Sequence, residues 1–450
     1  MQRRIISIIA AALVLSMGLL GCEATAGTSN GNYKHLTNKA TDGDGVYTDL
    51  GNYIIEIADY KDADYEKARK ALDEKYAAIS GACTACAKLD SKGNVLIGRN
   101  LDNQVSQCPA FLIHSTQGKY ETISLRYMNS EAYTYETFKQ EGYKDKDFLN
   151  SISFCVTDSM NTEGLYMEAN VREPYAELVN TGTNPGKTRL CIPMLVAMVT
   201  RNCATVKEAL DYLENEVDIY STPYVNETLP TQYGYYIGDA TGEFGIIEIA
   251  ANQIYYTPYQ PAQANYYLSP KCSAFELNGA GYGRMDMALD GLSDIDNQSE
   301  MLEHMKKCMW CRAVTDIEYS YLDEDGVAQF VDSNNNPSID FRSDFSNNIS
   351  IDENGQPIES SDHEALVRSN AHWMMDDKNF DTVKTFVTGL FEKSEWPKKL
   401  SDYYAGDEKA LRDDGNVFTT GASFAVDCKN KSMIIKFWEN EDEIYEITMK

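Results

Sequence analysis

The chain has 450 residues, 43% hydrophobic and 11% aromatic, enough to bury a large core as one large domain or two smaller ones. Its 69 acidic residues outnumber 40 basic ones for a formal net charge of -29, a balance that repels nucleic acid and anionic lipid and suits a solvated, exported protein. A nucleic-acid partner is therefore not expected.

At the start, Arg3 and Arg4 precede an apolar run from Ile5 to Leu20 that is too short for a stable transmembrane span. Residues 1–21 read as a signal peptide. The run closes on Leu19-Leu20-Gly21-Cys22, which resembles a bacterial lipobox and implies that Cys22 receives a lipid. The polar stretch from Glu23 to Asn32 reads as a tether, so membrane contact is expected through the lipid. Of the 11 cysteines, Cys22 goes to the lipid and Cys83 to the chemistry below; the odd remainder requires at least one free thiol.

Between Ala63 and Ile79, Tyr65, Ala68, Leu72, Tyr76 and Ile79 recur at helical intervals, with Glu66 and Lys70 spaced as an i,i+4 pair. This amphipathic helix stops at Ser80-Gly81-Ala82. The period then changes: CTACAKL and NVLIGRN flank DSKG, which predicts a strand, a tight turn and a second strand. SISFCVTD, GLYMEANV, GYYIGDA and FGIIEIA are further predicted strands. The segment from Ile192 to Val217 reads as two helices broken near Asn202-Cys203, with Thr205 capping the second. Asp332 to Ser361 is polar and turn-rich, a surface excursion, and ASFAVDCKNKSMIIKFW closes the chain with another hairpin. Strands, then helices, then strands favour an α+β arrangement.

The stretch GACTACAKLDSKGNVLIGRNLD, from Gly81 to Asp102, carries the chemistry. A cysteine that becomes the first residue of a processed chain holds nucleophile and base together, because its free α-amine titrates near neutral pH. No histidine is needed, and the chain has only five. A returning strand brings Arg99 toward the Cys83 thiol, where a cation favours the thiolate. Asp102, just beyond, is placed to orient the amine. Small Gly81 and Ala82 leave the preceding carbonyl open to attack by the thiol.

Cys83-Thr84 followed by Gly98-Arg99-Asn100-Leu101-Asp102 resembles the opening of the choloylglycine hydrolase and penicillin V acylase family, cysteine members of the N-terminal nucleophile (Ntn) hydrolases. The spacing holds when counted from Cys83, not from Cys86. DSMNTEGLYMEANV is similar to the family segment whose strand carries a polar oxyanion residue, which implies that role for Asn170. IGDATGEFGIIEIA followed by QANYYLS resembles a hairpin and a later asparagine that donates its amide to the oxyanion, here Asn265. GYGRMD resembles a segment whose arginine reaches back to the site, here Arg284. The resemblance implies a four-layer αββα sandwich of two antiparallel sheets, with 22–82 a lipidated tether and helical pro-segment and 83–450 the catalytic domain. It further implies cleavage before Cys83, hydrolysis of linear amides in N-acylated small molecules, no cofactor and no metal.

Two rival readings remain. One is acyl transfer to an amine through the same thioester. The other is a non-enzymatic surface lipoprotein whose Cys83 and Cys86 share a metal with Cys308 and Cys311. Asp323 to Gly326 and Asp352 to Gly355 read as turn tips rather than calcium loops. The sequence leaves the acyl specificity and a homo-oligomeric state open.

Overall fold

Aspartates and asparagines that bond their own turns define where the strands reverse. Asp90 Oδ1 accepts from the amides of Lys92 and Asn94, with Gly93 at φ +81, and so closes the expected hairpin after Gly81. Asp239 does the same for Thr241, and Asn161 for Glu163 and Leu165. Beyond Asn161, Gly164 adopts φ +83, and a side chain there would run into the Cys428 carbonyl, which only glycine avoids.

The computed structural model describes residues 47–57, 64–74, 82–308 and 417–449 apart from short breaks, with strand fragments at 27–28, 34–35, 40–41, 318–322 and 328–331. Ten strands form one main sheet, in the order β16 (Gln253–Pro258), β15 (Phe244–Ala250), β14 (Gln232–Gly238), β11 (Tyr166–Arg172), β10 (Asp158–Asn161), β9 (Thr122–Tyr127), β8 (Ala110–Ser115), β5 (Ile54–Ile57), β4 (Tyr47–Gly51) and β3 (Ala40–Thr41). Six form the other: β17 (Ala262–Gln263), β6 (Ala82–Leu89), β7 (Val95–Val105), β20 (Val417–Asp427), β21 (Ser432–Phe437) and β22 (Asn440–Thr448). Outside them, β1 (Gly27–Thr28) pairs with β2 (Lys34–His35), β12 (Thr188–Cys191) with β13 (Val217–Tyr220), and β18 (Glu318–Leu322) with β19 (Ala328–Val331).

Among the described residues the α-helices are α1 (Tyr65–Glu74), α2 (Tyr135–Gln140), α3 (Lys146–Phe154), α4 (Leu195–Asn202), α5 (Val206–Asn215), α6 (Pro270–Ser273), α7 (Tyr282–Leu289) and α8 (Gln298–Met305). Strand alternation divides the core. Cys83, Ala85, Ile97 and Leu101 of the six-stranded sheet meet Leu112, Ile123 and Tyr166 of the ten-stranded one. On the far side of the ten-stranded sheet, Phe111, Ile113 and Met167 pack with Phe148, Leu195 and Ala209 of α3, α4 and α5. Cys86 and Leu96, on the far side of the six-stranded sheet, pack with Ala288, Met301 and Met305 of α7 and α8. This is an α+β fold with two main sheets.

Three expectations need correction. SISFCVTD is not a strand: Asp145 caps α3 by accepting from the amides of Asp147 and Phe148, and Phe148, Leu149 and Ile152 turn into the core at helical spacing. The next strand begins only at Asp158. The main sheets are not wholly antiparallel, because β5 and β8 run parallel. In α1, Glu66 is bound by Arg69 at 2.8 Å, one position short of the expected Lys70. The α4–α5 break stands as read, with Thr205 Oγ1 accepting from the Glu208 amide. The signal peptide, Cys22, the 332–361 excursion, both turn tips, Cys311 and the end of the first predicted helix lie outside the described residues.

Candidate active site around Cys83

The hairpin register places the first residues. Cys83 pairs with Leu101 and Ala85 with Arg99, so Cys83 and Arg99 share the face of β6 and β7 that looks between the sheets. Asp102 lies three residues beyond Arg99 and therefore on the opposite face. On β17, Gln263 pairs with Ala85, which brings Asn265 level with Cys83 two residues later. Cys83 thus has one network around its sulfur and another around its nitrogen.

On the sulfur side, β11 supplies a stripe. Its residues alternate, with Met167 and Ala169 in the helix-covered core and Tyr166 between the sheets, so Glu168 and Asn170 share the face of Tyr166. Arg99 Nε lies 3.0 Å from both Asp158 Oδ1 and Glu168 Oε2. Its Nη1 donates to Asn170 Oδ1 at 2.7 Å and its Nη2 to the Ala169 carbonyl at 3.0 Å. Tyr166 donates to Asp158 at 2.8 Å. All these side chains are buried.

Burial pushes the Cys83 thiol up to about 11, with Arg99 pulling the other way as a charge and as a hydrogen-bond donor. Burial likewise pushes Glu168 up to about 7 against the pull of Arg99. For Arg99 itself burial acts downward, yet Cys83, Glu168 and Asp158 together hold it well above its ordinary value. The Asn170 amide nitrogen, bound to nothing, is a buried donor without an acceptor.

On the nitrogen side, the Cys83 main-chain nitrogen donates to Asn265 Oδ1 at 2.7 Å. Arg284, from α7, donates to the same oxygen at 2.8 Å, to Thr84 Oγ1 at 2.8 Å and to Asp102 Oδ2 at 2.9 Å. A guanidinium only donates, so the Asn265 oxygen must be the atom turned toward Arg284. The Asn265 amide nitrogen donates to the Val171 carbonyl at 2.9 Å. Thr420 donates to Asp102 at 2.5 Å from a bulge in β20, where the pairing with β7 slips by one residue between Thr420 and Ala422. Burial pushes the Asp102 carboxyl up to about 6, with Arg284 opposing it.

The structure therefore brings Cys83, Arg99, Asp102, Asn170, Asn265 and Arg284 together in two linked networks. Asn265 presents its oxygen to Cys83 rather than its amide. Cys86 faces away from Cys83, its sulfur 3.7 Å from Met301 Sδ and 3.5 Å from Met305 Sδ. The nine described cysteines form no disulfide with one another. Sequence reasoning missed Asp158, Glu168, Tyr166 and Thr420. The signal for two of them was present in YMEANVR, where every second residue is polar on a strand buried on both faces.

Comparison with known proteins adds three findings. No curated protein matches the chain. Among solved structures, two variants of a conjugated bile acid hydrolase from Clostridium perfringens each match at 14% identity and a TM-score of 0.36, over 82% of this chain and 92% of that one. A penicillin V acylase from Agrobacterium tumefaciens matches at 14% identity and a TM-score of 0.34, over 79% of this chain and 83% of that one. Residues 83–258 match the family of linear amide C-N hydrolases, choloylglycine hydrolase family, in a match that begins on Cys83 itself. Over these residues the chain is similar to the choloylglycine hydrolase family of linear amide C-N hydrolases.

Proposed function

We propose that the protein is an N-terminal-cysteine amidohydrolase, acting on linear, non-peptide amides of N-acylated small molecules in the manner of a bile salt hydrolase or penicillin V acylase. It matures by cleavage between Ala82 and Cys83 and has the four-layer αββα architecture of an Ntn hydrolase. The observation that carries this reading is the Cys83 nitrogen held at 2.7 Å by Asn265 while Arg99 attends the sulfur of the same residue. A nucleophile and its base in one residue need both atoms placed, and each has its own buried network.

In maturation, the Cys83 sulfur attacks the Ala82 carbonyl carbon, the 82–83 C–N bond breaks, and water hydrolyses the resulting thioester to leave a free amine on Cys83. In turnover, that amine takes the thiol proton as sulfur bonds to the substrate acyl carbon. The tetrahedral oxygen carries negative charge, and the free amide of Asn170 is the donor assigned to it. Collapse breaks the substrate C–N bond, and the Cys83 ammonium returns the proton to the leaving amine. Water then attacks the thioester with the amine again as base, and the acid leaves. Asn265, fixed by Arg284, holds the amine in place; Asp102 neutralises Arg284. The chain acts outside the cytoplasm, with Cys22 as the lipid anchor.

The test is acid release from a panel of N-acyl glycine, N-acyl taurine and penicillin V substrates by the wild-type chain and by Cys83→Ala. Release by wild type alone is expected, and addition of an amine acceptor should not divert the acyl group. Turnover by Cys83→Ala would overturn the assignment.

A further inference from the structure

Cleavage before Cys83 leaves an N-terminal piece whose fate bears on how the enzyme exists. That piece is not laid over the surface. Its strand β5 pairs in parallel with β8 from Ile54 opposite Ala110 to Ile57 opposite Ile113, and the Ala110 amide donates to the Tyr53 carbonyl at 2.9 Å. Strand β4 pairs with the other side of β5. Ile54 and Leu50 enter the core between the two sheets, whereas Ile55, Ile57 and Tyr47 enter the core under the helices. Ile54, Ile55 and Ile57 have no exposed surface at all, so the segment plugs both cores at once.

Helix α1 fastens the same piece a second time. Ala68 is fully buried in the helix-side core, and Asn150 of α3 both accepts from the Asp64 amide and donates to the Asp64 carbonyl. Without this piece, β8 would become an open edge that is apolar on both faces along Ala110, Phe111, Leu112 and Ile113, the four buried residues that pair with β5. Such an edge would recruit another strand or aggregate.

We infer that the segment bearing β4, β5 and α1 stays seated after scission, so that the working enzyme is a noncovalent pair made of this N-terminal segment and the chain that begins at Cys83. This rests on the cleavage proposed above. The segment then acts as a subunit of the enzyme, and any lipid on Cys22 holds the catalytic chain at the membrane without a covalent link to it.

Two preparations test it. The full chain is purified through a C-terminal affinity tag, and its components are identified by intact mass under native and denaturing conditions. Two fragments in equimolar amount, separable only by denaturant, are expected. An active, soluble chain beginning at Cys83 and free of the N-terminal fragment would overturn the inference. A Cys83→Ala chain carrying a site-specific protease sequence within residues 75–81 is cut after purification, which separates seating from self-cleavage. Co-elution of its two fragments supports the inference even where the wild-type chain proves uncut, a result that would count against the cleavage alone; dissociation of the fragments into a soluble catalytic chain refutes it. Ile55→Asn in that protease-cut chain should release the segment, with the loss of co-elution read directly.

Discussion

The sulfur and the nitrogen of Cys83 sit in surroundings of opposite design. Around the sulfur, one guanidinium faces two buried carboxylates, Asp158 and Glu168, and every partner comes from strands of the two sheets. Around the nitrogen, Asn265 receives Arg284 from helix α7, and Arg284 is balanced by the single carboxylate of Asp102. The division follows from strand geometry: Arg99 and Asp102 are three residues apart on β7, and an odd spacing sends them to opposite faces. In the mature chain proposed above, Cys83 would thus have its thiol tuned by one network and its amine positioned by the other.

The comparison is broken most severely on the sulfur side. Arg99→Gln leaves Asp158 and Glu168 buried without their cation, and breaking a buried pair in this way costs about 3–5 kcal/mol. Urea denaturation should show that loss, and turnover should vanish. Adding Glu168→Gln should return part of the stability but none of the turnover. Asn170→Ala removes the free donor and should lower kcat by about 10²–10³-fold with little change in KM; a rise in KM alone would instead make Asn170 a binding residue.

On the nitrogen side a smaller, positional effect is expected. Asn265→Ala should slow both the 82–83 cut and turnover by about 10²-fold, because a misplaced base costs rate without removing chemistry. Equal loss of folding stability in Asn265→Ala and Arg99→Gln would erase the distinction between the two networks.

A further effect concerns neither network. Glu56 of β5 is buried, and desolvation pushes its carboxyl up to about 8 from an ordinary 4.5. The native state therefore binds this proton more tightly than the unfolded chain, so its contribution to stability is greatest below about pH 4.5 and declines as pH rises through about 8. Glu56→Gln should flatten that decline in thermal unfolding measured from pH 5 to pH 9. An unchanged pH dependence would contradict it.

What the sequence disclosed is local. The β6–β7 hairpin, the Thr205 cap, the β14–β15 and β20–β21 hairpins and the spacing from Cys83 to Arg99 and Asp102 all depend on residues close together in the chain. What it concealed is non-local. IIEI at 54–57 is a strand by composition, yet its partner β8 lies more than fifty residues away and runs parallel, so no turn announces it. Asp158 and Glu168 look like solvated strand residues until the second sheet covers them. The Asn265 orientation depends on Arg284 accepting nothing, a constraint visible only once the two are in contact. SISFCVTD misled because its serines alternate with apolar residues at strand period, whereas here they bond back to the helix, Ser151 to the Phe148 carbonyl and Ser153 to that of Leu149.

The most direct test of the central claim is the amino-terminal sequence of the active protein, taken together with the site that a mechanism-based thiol reagent labels. The account predicts a polypeptide that begins at Cys83 and carries the label there. Active material in which the bond between Ala82 and Cys83 is intact, or in which the label falls on another cysteine, would contradict it.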